Sequence, residues 1–239
     1  MTLKFDEFLR SVSISKENTY SMLIGAGCSI SSDIQSANDC IWEWKKIIYK
    51  SNNPNSQDWI ENFKNPKVQD TIQNWLDNQG SYIERDSPEE YSFYAKKCFS
   101  IDENRRQYFQ KICSNKTPSV GYRTIPLLVK HGILDSVWTT NFDDLINASC
   151  IQGGITGIDI SLDSVNRINQ RTQSKNELQI IKIHGDFKYG DLKNTSEELK
   201  NQDNVLRAKL EDYLTDKHLM VIGYRGRNKS IMDSMKEAY

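Results

Sequence analysis

Nowhere in this sequence do two cysteines stand in a CxxC pair. The five present, Cys28, Cys40, Cys98, Cys113 and Cys150, are odd in number and widely scattered. That usage argues against a disulfide framework or a zinc ribbon and for reduced thiols in a cytoplasmic compartment, so no metal is expected. No apolar run approaches the roughly 20 residues that span a bilayer, and the opening Met1-Thr2-Leu3-Lys4-Phe5-Asp6 lacks a basic-then-apolar leader. The expectation is a soluble, unprocessed protein. Charge of either sign is also missing in excess: 31 basic residues face 32 acidic ones, which removes a global field for nucleic acid or an anionic membrane. No internal repeat or coiled-coil heptad is visible. A chain of 239 residues suits one large domain or a domain carrying an insertion, and the second is expected.

What is present is an alternation of strand and helix patterns. Thr19 to Ile24 is a short apolar run ending in Gly25, suited to a buried parallel strand. Ser36-Ala37-Asn38-Asp39 has the form of a capping box, opening a helix with Ile41, Trp44 and Ile48 on one face. From about 51 to 117 the texture is polar and helix-forming. Asn65-Pro66 and Ser87-Pro88-Glu89-Glu90, the second in the form of a capping box, mark helix starts there, so this stretch is expected to be a helical insertion or cap. Thr117-Pro118 opens a further helix ending at His131-Gly132, and Ile133 to Thr140 returns to strand. Gly153, Gly154 and Gly157 suggest a loop and a short strand. Leu178 to Ile183 and Leu219 to Ile222 read as strands, with a helix around Val205, Leu206, Leu210 and Leu214 between them. The fold class expected is therefore α/β, a Rossmann-like parallel sheet flanked by helices, within a single domain over 1–239. Ser230 to Met235 reads as a helix with no stop signal after it, from which the chain is expected to be the N-terminal part of a longer protein.

Four short words fall at expected strand ends, where parallel sheets bind ligands. In Gly25-Ala26-Gly27-Cys28-Ser29, glycines permit a sharp turn and close approach to a phosphate at a helix N-terminus; a tight turn that binds nothing is the alternative. The dinucleotide fingerprint wants a third glycine where Ile30 stands, and no acidic residue closes a second strand about twenty residues on. A hydride-transfer enzyme therefore fits poorly. In Thr140-Asn141-Phe142-Asp143, period-2 geometry puts Asn141 and Asp143 on one side, able to orient a carboxamide, a ribose hydroxyl or a water; a turn or cap is the alternative. Among three histidines, His131 suits a helix end and His218 an exposed position. His184, in Ile183-His184-Gly185-Asp186, follows an apolar strand and is the acid/base or hydroxyl-partner candidate. Ile222-Gly223-Tyr224 is the fourth word.

In this order GAGCS, TTNFD, HGD and VIGY resemble the sirtuin family, over about Met22 to Asp233. The likeness is strongest to bacterial sirtuin-like domains that act as NAD-consuming effectors in anti-phage defence, which share a Trp-rich helix after the glycine turn and a stretch like Leu192 to Leu199. The resemblance implies that Gly25, Ala26, Gly27 and Ser29 hold the phosphates and adjacent ribose of NAD+. It implies that Asn141 places the nicotinamide ribose or the attacking water, Asp143 supports the nicotinamide side and His184 engages a ribose hydroxyl. Gly223 and Tyr224 would line the adenosine side, and Arg225 would lie near the phosphates.

Protein-deacylating sirtuins carry a zinc module with two CxxC pairs, and this chain has neither. Water is then the expected acceptor, and the expected reaction is NAD+ hydrolysis to nicotinamide and ADP-ribose by a homo-oligomer that answers to a sensor or regulatory partner. A protein deacylase or ADP-ribosyltransferase, and a non-catalytic module that binds NAD+ or ADP-ribose, remain alternatives. Asp33 and Gln35 depart from the Gly and Pro common in the family, as Arg225 and Asn228 depart from its Ser and Asp. A carboxylate near phosphates would weaken binding, and Arg225 could offset it.

Overall fold

A computed structural model describes residues 4–15, 20–56, 58–161, 164, 167–168, 174–183, 208–226 and 229–238. Its centre is a five-stranded sheet, β1 (Tyr20–Ile24), β2 (Leu134–Thr139), β3 (Thr156–Ile160), β4 (Glu177–Lys182) and β5 (His218–Ile222), in the order β3-β4-β2-β1-β5. Every pairing is parallel. The fold is thus α/β and Rossmann-like. From β1 the chain reaches β2, β3 and β4 on one side and returns to β5 on the other, which makes the carboxyl end of β1 a topological switch point.

Alternation along the strands feeds two layers. Met22, Ile24, Val137 and Ile180 pack with α6 (Val120–Lys130) and α7 (Leu145–Gln152), through Ile125, Val129, Ile146 and Cys150. Leu23, Trp138 and Ile181 face the opposite layer, with Leu210, Tyr213 and Leu214 from a helix seen over 208–214 (α8) and Ile231 from α9 (Lys229–Ala238). All five residues of β1 are buried, as a strand covered on both faces requires.

A third core belongs to the helices before β2. An amphipathic α1 (Phe5–Ile14) precedes β1. The expected capping box at Ser36 is formed, its hydroxyl accepting from Asp39 N, and opens α2 (Ala37–Asn52). Trp44, Ile41 and Ile48 from α2 join Val68, Ile72 and Leu76 of α3 (Pro66–Gln79), Tyr94 and Ala95 of α4 (Glu90–Cys98) and Phe109 of α5 (Asp102–Cys113). Asn65 caps α3 with Pro66 in its first turn, as expected. At α4 the sequence expectation is corrected. The helix begins at Glu90, and Ser87 Oγ caps nothing; the Ser87 N–H is taken by Glu84 O, and the Glu90 carboxylate accepts from Asp86 N and from Lys45. The helix before β2 likewise starts at Val120, beyond Thr117-Pro118, and ends at His131 and Gly132 (φ 67°). Gly153 and Gly154 form the turn before β3.

No helix among the described residues is long and apolar enough to cross a membrane.

Candidate active site

The glycine turn does not lead straight into an α-helix. After Gly25 the chain winds into a 3-10 helix (Ala26–Ser32) that ends at Asp33 in the left-handed conformation (φ 58°), and α2 follows only at Ala37. Asp33 stands where the sirtuin pattern has Gly because the backbone there needs a positive φ, which Asp tolerates better than most side chains. Its carboxylate lies at an exposed position. Gln35, the other departure in that segment, accepts hydrogen bonds from Tyr108 Oη at 3.2 Å and Cys40 Sγ at 3.8 Å.

Both glycines of the turn are required by protein backbone. Gly25 N–H donates to Ile222 O (3.0 Å) and Gly27 N–H to Gly223 O (2.9 Å). A Cβ on Gly25 would stand 2.6 Å from Gly223 O, and one on Gly27 would stand 2.8 Å from it; one on Gly223 would stand 2.5 Å from Cys28 N. The first and last words of the sequence pattern are therefore locked together at the switch point, and two amides expected to face a phosphate are already used. Ala26, Gly27 and Gly223 remain exposed, as does Arg225, while Tyr224 is half-buried.

Beneath this turn lies a buried polar network. Strand β2 ends when Thr139 Oγ1 donates to Ile24 O and accepts from Asn141 N, each at 3.0 Å. The chain then alternates as period 2 predicts. Phe142 points into the helical core and packs against Phe109 (ring centroids 4.9 Å apart), while Asn141 and Asp143 point under the glycine turn. Asn141 Nδ2 donates to Gly25 O and Ser29 Oγ, both at 3.1 Å, and lies 3.3 Å from Tyr122 Oη. Ser29 Oγ donates to Asp143 Oδ2 at 2.6 Å and lies 2.9 Å from Tyr122 Oη. Asp143 Oδ1 accepts from Leu145 N at 3.2 Å.

Burial is the largest cause of each proton shift here. It raises the Asp143 carboxyl above its usual range, against the hydrogen bonds from Ser29 and Leu145 and the charge of Lys182. Tyr122 and the Cys28 thiol are pushed upward by burial and then by the Asp143 charge, so both stay protonated donors at neutral pH.

One atom of the network is unsatisfied. Asn141 Oδ1 is buried and accepts no hydrogen bond. The amide cannot simply be turned over, because Gly25 O is acceptor-only and demands the nitrogen on its side. A free buried acceptor costs about 1–3 kcal/mol, and a hydroxyl or a water donating to it would recover that cost. A ribose hydroxyl fits that role, because the carboxamide acceptor sits at the carboxyl end of the central strands β1 and β2, below an exposed backbone turn.

A family model for the SIR2-like domain matches residues 135–239. That match supports a sirtuin-like domain. It covers β2 from Asp135, the TTNFD word and β3 to β5, but not β1 or the glycine turn, which joins it through Gly25, Gly27 and Ser29. The family points to an NAD+-using enzyme. No curated protein matches the chain.

Within this site the structure brings together Gly25, Ser29, Asn141, Asp143 and Gly223. It pairs Ser29 and Asp143 with each other. His184, Asn228 and the 192–199 stretch lie outside the described residues. Tyr122 is the site residue that sequence reading missed. In the first turn of α6, far along the chain from Ser29 and the glycine turn, it carried no local signal. Among the described residues no three His, Cys, Asp or Glu side chains cluster as metal ligands.

Proposed function

We propose that this chain is an NAD+ glycohydrolase, cleaving NAD+ to nicotinamide and ADP-ribose, and that it serves as a cytoplasmic effector that depletes NAD+ in anti-phage defence. The observation that carries the reading is Asn141 Oδ1, a buried acceptor without a donor at the switch point of a parallel sheet. In this reading Asn141 accepts a hydrogen bond from the nicotinamide ribose or the attacking water. His184 engages a ribose hydroxyl, as the sirtuin resemblance implies, and Asp143 holds Ser29 and the strand end in place. Because nicotinamide leaves as a neutral amine from a cationic ring, the site's task is to stabilise an oxocarbenium-like ribose by fixed dipoles. Water is favoured as acceptor because the sequence lacks the paired cysteines of the zinc module that accompanies acyl-lysine binding in the deacylating relatives. Homo-oligomerisation and a phage-responsive sensor or partner belong to the same proposal.

The test is a time course of nicotinamide release by the full-length protein, with and without phage-infected extract and with and without an acyl-lysine peptide. Peptide-independent release is expected, and His184→Ala should abolish it while leaving the unfolding midpoint unchanged. Release that requires the peptide would indicate a deacylase, and NAD+ left intact by the triggered full-length protein would overturn the reading.

A further inference from the structure

We infer that Tyr122 is a positioning residue of this site, joining Gly25 O and Ser29 Oγ in holding the carboxamide whose Oδ1 is the free acceptor. The inference rests on the proposed cleavage of NAD+ for its kinetic consequence, though not for its structural content.

Ser29 Oγ has one proton and two lone pairs, and three partners: Asp143 Oδ2 at 2.6 Å, Tyr122 Oη at 2.9 Å and Asn141 Nδ2 at 3.1 Å. The carboxylate only accepts, so the serine proton goes to Asp143. The two lone pairs are then filled by the Tyr122 hydroxyl proton and an Asn141 amide proton. Tyr122 Oη in turn lies within reach of Asn141 Nδ2 at 3.3 Å, as an acceptor. Asn141 Nδ2 thus has two protons for three acceptors: one goes to Gly25 O and the other is shared between Ser29 Oγ and Tyr122 Oη, while Asn141 Oδ1 is left without a donor.

Without the phenol, a lone pair of Ser29 loses its donor and the second amide proton of Asn141 has one acceptor fewer. Only Gly25 O and Ser29 Oγ then hold the carboxamide. Tyr122 is 2 % exposed and packed among the residues of the α6 layer, so its ring remains fixed while its hydroxyl does the orienting. It touches no reacting atom. Its effect runs through Asn141, and buried networks of this kind are sensitive to a single missing member.

The experiment is Tyr122→Phe in the full-length protein, which keeps the ring and removes one oxygen. The expected kinetic result is a fall in kcat of about 10- to 100-fold, the scale of a misplaced reacting group, with KM within about twofold of wild type. In parallel, NMR of the selectively labelled Asn141 side chain should show carboxamide hydrogen exchange at least about tenfold faster in the variant, as a loosened buried amide requires. A thermal shift with kcat unchanged overturns the inference, since a purely structural hydroxyl would give that. If the wild type does not cleave NAD+, the functional proposal fails by itself, and the exchange measurement decides alone: unchanged exchange refutes the positioning role and faster exchange supports it. Should Tyr122→Phe fold poorly, Ser29→Ala removes the shared partner and should accelerate the same exchange; no acceleration there counts against the network.

Discussion

Replacing Glu90 by Gln should destabilise the protein by an amount that shrinks as pH rises. Lys45 is fully buried, with its ammonium 2.6 Å from Glu90 Oε1 and 2.7 Å from Gln73 Oε1. The same nitrogen lies 4.5 Å and 4.9 Å from the ring centroids of Trp42 and Tyr94. Burial lowers its pKa from the ordinary 10.5 and Glu90 opposes that shift. Glu90→Gln retains the shape and an acceptor but deletes the compensating charge. Breaking one side of a buried pair typically costs about 3–5 kcal/mol.

A ceiling follows from the alternative open to Lys45, which is to lose its proton. At pH 7 that is about 3.5 units below 10.5, or about 4.8 kcal/mol at about 1.36 kcal/mol per unit; at pH 9 it is about 2 kcal/mol by the same conversion. In the variant the folded-state pKa of Lys45 lies far below the unfolded value. The native state then binds fewer protons than the unfolded state across that window, and stability rises with pH.

Urea unfolding of both proteins at pH 7, 8 and 9, followed by tryptophan fluorescence from the Trp42 and Trp44 region, measures the difference directly. The expected loss is about 3–5 kcal/mol at pH 7, or roughly 6–20 °C in Tm for a chain of this size, and no more than about 2 kcal/mol at pH 9. A loss below about 1 kcal/mol at pH 7, or one that stays level to pH 9, would refute the buried pair.

Three further expectations concern the site and its proton balance. Gly223→Ala combines a positive φ of 64° with a Cβ 2.5 Å from Cys28 N, whereas Gly80→Ala has a similar φ of 63° and open space around it. The second should cost about 1–2 kcal/mol from backbone strain alone and the first clearly more, with equal losses in chemical denaturation ruling out the interlocked turns. Asp143 has a raised pKa by burial, so the native state holds its proton longer than the unfolded state does. Wild-type stability relative to Asp143→Asn should therefore fall as pH rises from the ordinary carboxylate value of 3.8 upward through the raised one; a pH-independent difference would contradict that placement. His184→Ala should remove nicotinamide release without moving the denaturation midpoint, and full retained turnover would remove His184 from the site.

Most of the sheet was readable because a strand buried on both faces writes an apolar run ending in a turn residue. β1, β2 and β4 lie where such runs stand; β5 carries an apolar run too, although at the sheet edge it is half-buried or exposed, and β3 follows the Gly153-Gly154 turn. The helix boundaries were readable where the cap is local, as at Ser36 and Asn65, and misread at Ser87, whose N–H is taken by Glu84 O while the Glu90 carboxylate is divided between Asp86 N and the distant Lys45. Alternation correctly divided Asn141 and Asp143 from Phe142, since period 2 is a property of the backbone alone.

By itself, then, the sequence determined the α/β alternation, the short words at strand ends and the separation of their side chains into two directions, all of which depend on neighbours along the chain. Tertiary structure decided what those words do to one another. Gly25 and Gly27 approach Gly223 because β1 and β5, distant in sequence, pair in parallel. Ser29 and Asp143 meet because their turns share one end of the sheet. Tyr122 joins them from α6 through packing that no local pattern encodes. The free acceptor on Asn141 exists only as the remainder of that network, because hydrogen-bond satisfaction belongs to a set of groups in space and not to any one residue in the chain.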